Sequence, residues 1–257
     1  MKIVLIGAGN VATHLGIALR KSKQEIVQVY SRSESSARQL AGALKCPFTA
    51  DVNNIETGAD AYIISISDHA LKGFLKSFSG TEKLIVHTSG TVPMKVFGKK
   101  FRNHGVFYPL QTFSKERKIK FGEVPVLIEG NSRRAIPGIR ALADAVTPYV
   151  FELSSAERRT VHLSAVIANN FSNHLFLLAE KILKKKNIPF PLLGPLLHET
   201  VIKAILLTPR GAQTGPAKRG DTAVIEEHLQ MLEKEPQLRR IYKLLSENIE
   251  RESGVKL

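Results

Sequence analysis

The most informative polar set lies on a largely apolar stretch: His162, Asn169, Asn170 and Asn173 stand among Leu163, Ala165, Val166, Ile167, Ala168, Phe171, Leu175 and Phe176. Helical spacing puts His162, Val166, Asn169 or Asn170, and Asn173 on one face. Polar groups on such a helix need partners when buried. A substrate cleft between domains would supply them, as would a helix–helix contact or a subunit interface. Imidazole is the side chain that moves protons near neutral pH, so this face offers proton transfer at a bound small molecule, with Asn170 positioning it.

A second set offers binding. Gly7-Ala8-Gly9-Asn10-Val11-Ala12 has the G-x-G-x-x-A form of a dinucleotide fingerprint. Gly7 permits a tight turn, Gly9 lets the backbone approach a pyrophosphate, and Ala12 is small enough for close helix–strand packing. Asn10 and Val11 open the helix whose free N–H groups would face the anion. A third set, Ser31-Arg32-Ser33, stands where NAD-binding versions carry an acid for the ribose 2′-hydroxyl. A guanidinium and two hydroxyls suit a 2′-phosphate instead, favouring NADP(H), although Glu34 lies close by. The alternative leaves Arg32 in solvent and makes Ser33 only the cap of the next helix.

The elements around these residues alternate. Ile3 to Ile6 is a β-branched strand, followed by the glycine turn and a helix with Val11, Leu15, Ala18 and Leu19 at helical spacing. Further strands are expected at 25–31, 61–67, 83–87, 104–108, 124–129 and 149–153, with helices at 33–44, 70–78 and 133–145. This order predicts an α/β doubly wound parallel sheet, a Rossmann domain over residues 1–153. Ser67 follows the 61–67 strand, at the carboxyl end where ligands gather in open sheets. Asp68 is expected to cap the next helix. From Ser154 no strand follows. Ser154 and Glu157 have capping-box spacing and open a helix to about Lys186, with further helices at 192–207, 222–232 and 237–252. An all-α domain over 154–257 follows.

The chain has 257 residues, 43% of them hydrophobic and 23% charged, as in an ordinary globular protein. No run of apolar residues is read as membrane-spanning, and no signal peptide precedes the first strand. The single cysteine, Cys46, reads as a small core residue and suits a reducing cytoplasm. The net charge of +14 is spread in short groups, Arg158-Arg159 among them, without interleaved aromatics, which reads as a solvated basic surface and not as a nucleic-acid site. No metal site is expected.

Taken together, the fingerprint at the first residues, Ser31-Arg32-Ser33, Ser89-Gly90 after a later strand, and an Asn-bearing helix opening an α-domain resemble the 6-phosphogluconate dehydrogenase-like superfamily. Closer still, His87-Thr88-Ser89-Gly90, Tyr108-Pro109-Leu110-Gln111-Thr112-Phe113, His162 before Asn170, and Thr214-Gly215-Pro216 through Arg219-Gly220-Asp221 resemble a bacterial family of NADP oxidoreductases with no assigned substrate. The resemblance implies NADP as cofactor and hydride transfer to or from a small carbonyl, hydroxy acid or imine. It also implies a homodimer through the helical domain, to which Ile182, Ile188, Phe190, Leu192, Leu193, Leu196 and Leu197 would contribute. Ser89 and Gly90 would line the substrate end of the nicotinamide pocket, or form only a strand-to-helix turn. Tyr108, Arg219 and Asp221 are candidate substrate contacts, with Asp221 equally a helix cap. β-Hydroxyacid dehydrogenases and ketopantoate reductase carry a catalytic lysine one turn before the helix asparagine, where this chain has Val166. His162, one turn further along, is then the candidate proton donor, and Ser89 and Asn170 complete the candidate catalytic set. A protein that only senses the dinucleotide is the alternative.

Overall fold

The computed structural model describes residues 1–254. Eight strands form one sheet: β1 (Lys2–Ile6), β2 (Glu25–Tyr30), β3 (Phe48–Thr49), β4 (Ala61–Ile64), β5 (Leu84–His87), β6 (His104–Pro109), β7 (Val126–Gly130) and β8 (Val150–Glu152). Their order across the sheet is β3-β2-β1-β4-β5-β6-β7-β8. All neighbours are parallel except β6 and β7, which run antiparallel. The expected all-parallel sheet is corrected at that pair. Residues 110–125 join them with a single 3-10 turn (Phe121–Glu123) and no α-helix, and parallel neighbours usually need a crossover helix. Strand β3 is also new: two residues beside β2, too short to leave a periodic signal.

Between the strands lie α1 (Asn10–Lys21), α2 (Glu34–Leu44), α3 (Asp68–Ser77) and α4 (Ala135–Asp144). Alternation along β1 sends Ile3 and Leu5 into a core with α1, α2 and α4, and Val4 and Ile6 into a second core with α3, Tyr62, Phe97 and Phe101. The sheet is therefore buried on both faces, which is why its strands read as continuous apolar runs. The chain leaves β1 toward β2 and β3, then returns to β4 on the other side. The resulting switch point between β1 and β4 is where such sheets open a crevice at the strands' carboxyl ends.

After β8 come α5 (Ser155–Ala165), a π turn (Val166–Phe171) and α6 (Ser172–Lys184). The expected capping box is present: Ser154 Oγ accepts from Glu157 N at 3.3 Å, and Glu157 Oε2 accepts from Ser154 N at 2.8 Å. The π turn was not foreseen. Its wider spacing means that α-helical periodicity does not carry across Val166–Phe171.

The chain divides into two compact units inside this turn, Met1–Asn169 and the residues from Asn170 onward. The second unit is all helix: α6, α7 (Gly194–Ala212), α8 (Pro216–Arg219), α9 (Thr222–Met231) and α10 (Pro236–Ser253). Thr208 breaks α7 with φ +65°, as the residue before Pro209 is driven out of the helical region. By length and composition the segment Phe190–Arg219 does reach membrane-spanning size, with mean hydropathy 1.4. Its apolar residues are distributed through a broken helix and not held in one run, so a search for an uninterrupted apolar stretch passes over it.

Candidate active site

Gly7 follows β1 with φ +112°, and a Cβ there would lie 2.2 Å from Ser65 O, so glycine is required. At Gly9 an added Cβ would meet nothing within 4 Å. Gly9 stands as N-cap of α1, whose first turn holds no acidic residue. The backbone N–H groups of that turn are therefore turned to open space with the positive end of the helix dipole behind them. Ala12 is fully buried, and the closest helix–strand approach falls at Gly16, where a Cβ would reach Leu5 and Leu44. Val11 is half-buried. Asn10 does not point to the crevice: its Nδ2 donates to Phe113 O at 2.8 Å. His14 Nε2 meets Ser114 O at the same distance, so the segment after Tyr108-Pro109 is strapped onto α1.

A cavity of about 950 Å³ opens at the carboxyl ends of β1, β2 and β4. Gly7, Gly9, Ser31, Arg32, Ser33 and Ser67 line it, together with Tyr30, His69 and Phe74, which sequence reasoning did not select. Six of the expected cofactor residues are thus gathered on one wall system. Ser33 caps α2 through Ser36 N, so the capping reading holds while Ser33 still faces the cavity. Ser31 Oγ accepts from Ser33 N at 3.3 Å, keeping its own hydrogen to donate. Glu34 turns to Arg38 at 2.7 Å, an exposed i,i+4 pair, and Arg32 has no ion-pair partner among the described residues. Burial pushes the Tyr30 phenol up, while the Arg32 guanidinium pulls it down. The donors and charge at this end fit a phosphate ester, and the glycine turn fits a pyrophosphate.

Asp68 is corrected. Ser67 holds the N-cap position of α3, and the Asp68 carboxylate instead accepts from the Thr91 hydroxyl. That contact ties α3 to the turn after β5. Within the turn, Ser89 Oγ accepts from Thr91 N at 3.1 Å and from Val92 N at 2.9 Å, so this hydroxyl is occupied in shaping the loop.

Gly90 marks a second assembly. A Cβ at Gly90 would sit 2.6 Å from His162 Nδ1 and 2.8 Å from Tyr108 Cζ. Only glycine lets those two rings close over the turn. Tyr108 Oη lies 3.0 Å from His162 Nδ1, with the rings edge-on. Burial raises the Tyr108 phenol above its ordinary range. A phenol that keeps its proton can donate to Nδ1, leaving Nε2 as the nitrogen that carries hydrogen. His162 also lines an open groove of about 780 Å³ with Thr91, Pro93, Arg159, Thr160, Leu163 and Val166. An aliphatic side chain thus shares the His162 groove at the position where the lysine was expected.

Behind the turn, His87 is buried, with Nδ1 accepting from Ser89 N at 3.2 Å and Nε2 without a partner among the described residues. Burial and the nearby Arg158 cation lower its pKa to about 3. Arg158, expected on a solvated basic surface, is fully buried. The sequence signal for it was faint: Glu129, an acid at the end of an apolar strand, is its ion-pair partner.

Asn170, Arg219 and Asp221 belong to the second unit. Asn170 is exposed in the π turn. Asp221 caps α9, accepting from Val224 N at 3.5 Å, and its other oxygen lies 3.8 Å from Arg219 Nη2. Among the described residues no cluster of three or more metal-ligating side chains occurs.

Two family models match the chain. Residues 2–90 match "NADP oxidoreductase coenzyme F420-dependent", and residues 124–249 match a domain of unknown function, DUF2520. No curated protein matches. Among solved structures, a "putative NADP oxidoreductase" from Bacteroides fragilis is 43% identical, with a TM-score of 0.90 over 97% of this chain and 98% of that one. A 1-pyrroline-5-carboxylate reductase from Streptococcus pyogenes (16% identity, TM-score 0.64, 98% of each chain) shares the fold. So does an imine reductase from Myxococcus stipitatus in complex with NADP+ (14% identity, TM-score 0.67, 98% of this chain and 92% of that one). With the glycine turn, the Ser-Arg-Ser wall and whole-length identity of this order, the chain belongs to the family of NADP oxidoreductases.

Proposed function

We propose that the chain reduces a small carbonyl or imine compound with NADPH, or runs the same reaction backward from a hydroxy acid, using His162 as proton donor. The observation that carries the reading is the closure of His162 and Tyr108 over Gly90. It holds one imidazole nitrogen against a tyrosine in a residue that also lines an open groove. NADPH, when bound, supplies the hydride. Gly7 and Gly9 make room for its pyrophosphate, and Ser31, Arg32 and Ser33 hold the 2′-phosphate.

Hydride addition to a carbonyl carbon leaves an alkoxide, which must take a proton. His162 Nε2–H delivers it as the Tyr108 hydroxyl passes its own proton to Nδ1, so the imidazole stays neutral and the phenolate recovers a proton from water. A protonated imine asks less, since its charge is already in place, and that lighter demand suits a chain with Val166 in the groove wall. The test is His162→Ala, assayed by NADPH oxidation against keto acids, aldehydes and cyclic imines. Turnover should fall by roughly 10²–10⁴-fold, with NADPH affinity within twofold of wild type. A fully active variant would falsify the assignment. NADPH binding without turnover on the whole panel would favour the sensing role.

The second unit's exposed apolar residues support a homodimer. On α7, Ile205 and Leu206 are 76% and 74% exposed. A lipid bilayer is a poorer cover, because Glu199, Lys203 and Arg210 lie on the same helix and its backbone breaks at Thr208. The half-buried lone thiol of Cys46 accords with a cytoplasmic setting.

A further inference from the structure

One turn before His162 on α5, Arg158 has no exposed surface. A guanidinium so enclosed needs partners, and its two terminal nitrogens find them on three elements, while Nε has none among the described residues. Nη1 pairs with the Glu129 carboxylate on β7. Nη2 donates to Val92 O at 2.7 Å and to Ser155 Oγ at 3.3 Å. Ser155 in turn donates to Glu129 at 2.7 Å and accepts from Met94 N at 3.0 Å. Val92 closes the turn that begins with Ser89 and Gly90, so one rigid fork ties β7, the Gly90 turn and α5 together. A lysine, with its single ammonium, cannot span the carboxylate and the carbonyl in the same way.

Gly90 provides an independent observation. The backbone that Arg158 tethers is the one against which His162 rests, close enough that a Cβ would collide with the imidazole. A small displacement of that turn relative to α5 therefore moves the ring or breaks its bond to Tyr108. We infer that Arg158, with Glu129 and Ser155, is a positioning residue that sets the Gly90 turn against α5. His162 then keeps Nδ1 on the Tyr108 hydroxyl and presents Nε2 to the groove. This rests on the reading of His162 as the proton donor, and it leaves Arg158 itself away from the reacting atoms.

The test is ¹⁵N-edited imidazole spectroscopy of the full chain. In wild type, His162 should appear as one neutral tautomer with hydrogen on Nε2. Arg158→Lys keeps the charge but loses the span, and should move both nitrogen resonances toward the values of two exchanging tautomers. Should the lysine variant fold poorly, the double variant Arg158→Met with Glu129→Gln removes both charges together and should show the same spectral change. With 2-methyl-1-pyrroline as probe, kcat should drop at least tenfold while the KM for NADPH stays within twofold. Folded variants that retain the wild-type His162 resonances overturn the inference. The two readings fail separately: full activity in His162→Ala ends the proton-donor role, and unchanged resonances in the Arg158 variants end the positioning role.

Discussion

The two units of this chain bury their apolar residues very differently. In the first, β1, β4 and β5 are enclosed almost completely, and Leu5, Ile63 and Phe107 have no exposed surface. In the second, α6, α7 and α9 contain no buried residue. Yet α7 lies within Phe190–Arg219, a segment long and hydropathic enough by composition to cross a membrane. Composition is thus no guide to where stability resides. A sheet covered on both faces completes its own core, whereas a few helices laid side by side leave a large apolar surface that only another molecule can cover.

The largest effects should separate the units by truncation. Leu5→Ala removes a side chain from between sheet and helices and should cost roughly 2–5 kcal/mol at any protein concentration. Ile205→Ala in the exposed face of α7 should change the stability of the isolated chain by no more than about 0.5 kcal/mol. Ile205→Glu should instead halve the mass seen by light scattering. A wild-type chain that is monomeric at micromolar concentration would break the comparison, because α7 would then tolerate water.

Acid should act on the first unit through His87. Its folded-state pKa is depressed to about 3, while an unfolded imidazole takes a proton near 6.5. Between those values the unfolded chain binds the extra proton, so stability falls as pH falls through that window and is fully retained above it. The slope from this one group approaches about 1.4 kcal/mol per pH unit and integrates to about 2 kcal/mol between pH 6.5 and 4.5. In His87→Asn, where an amide oxygen can still accept from Ser89 N, urea titrations across that range should lack this increment. Equal slopes in the two proteins would mean that the buried imidazole is not held neutral.

Legibility in the sequence followed the same division. The Rossmann unit announced itself because each local rule agreed: β-branched strands, a glycine turn, helical spacing and Ser154–Glu157 all pointed one way. The antiparallel β6–β7 pair escaped, since strand direction leaves no periodic trace, and so did the π turn. At the site, single-residue chemistry was legible but mutual fit was not. Gly90 could be read as a pocket residue only by resemblance and otherwise as a turn glycine, until His162 and Tyr108 were found in the space its side chain would fill. Arg158 looked like its neighbour Arg159, and nothing local distinguishes a guanidinium that will meet Glu129 from one that meets water. Asp68 illustrates the converse, a residue of ideal capping type one position too late to cap.

The smallest effect sharpens the comparison within the first unit, where an exposed residue is asked to decide specificity. Arg32 lines the cavity with Ser31 and Ser33, and Glu34, the nearby acid, is turned to Arg38. A 2′-phosphate would meet a free guanidinium there, while a 2′-hydroxyl would meet no carboxylate to accept its hydrogen. NADPH should therefore bind at least tenfold more tightly than NADH, on the order of 1.4 kcal/mol. Arg32→Ala should remove most of that ratio by weakening NADPH and leaving NADH nearly unchanged. Because the contact is solvent-exposed, raising the salt concentration should narrow the ratio in wild type but not in the variant. Isothermal titration with both cofactors at two ionic strengths measures all of this. Equal affinities in wild type, or a ratio that survives Arg32→Ala, would move the discrimination elsewhere on the wall, with His69 the next residue to replace.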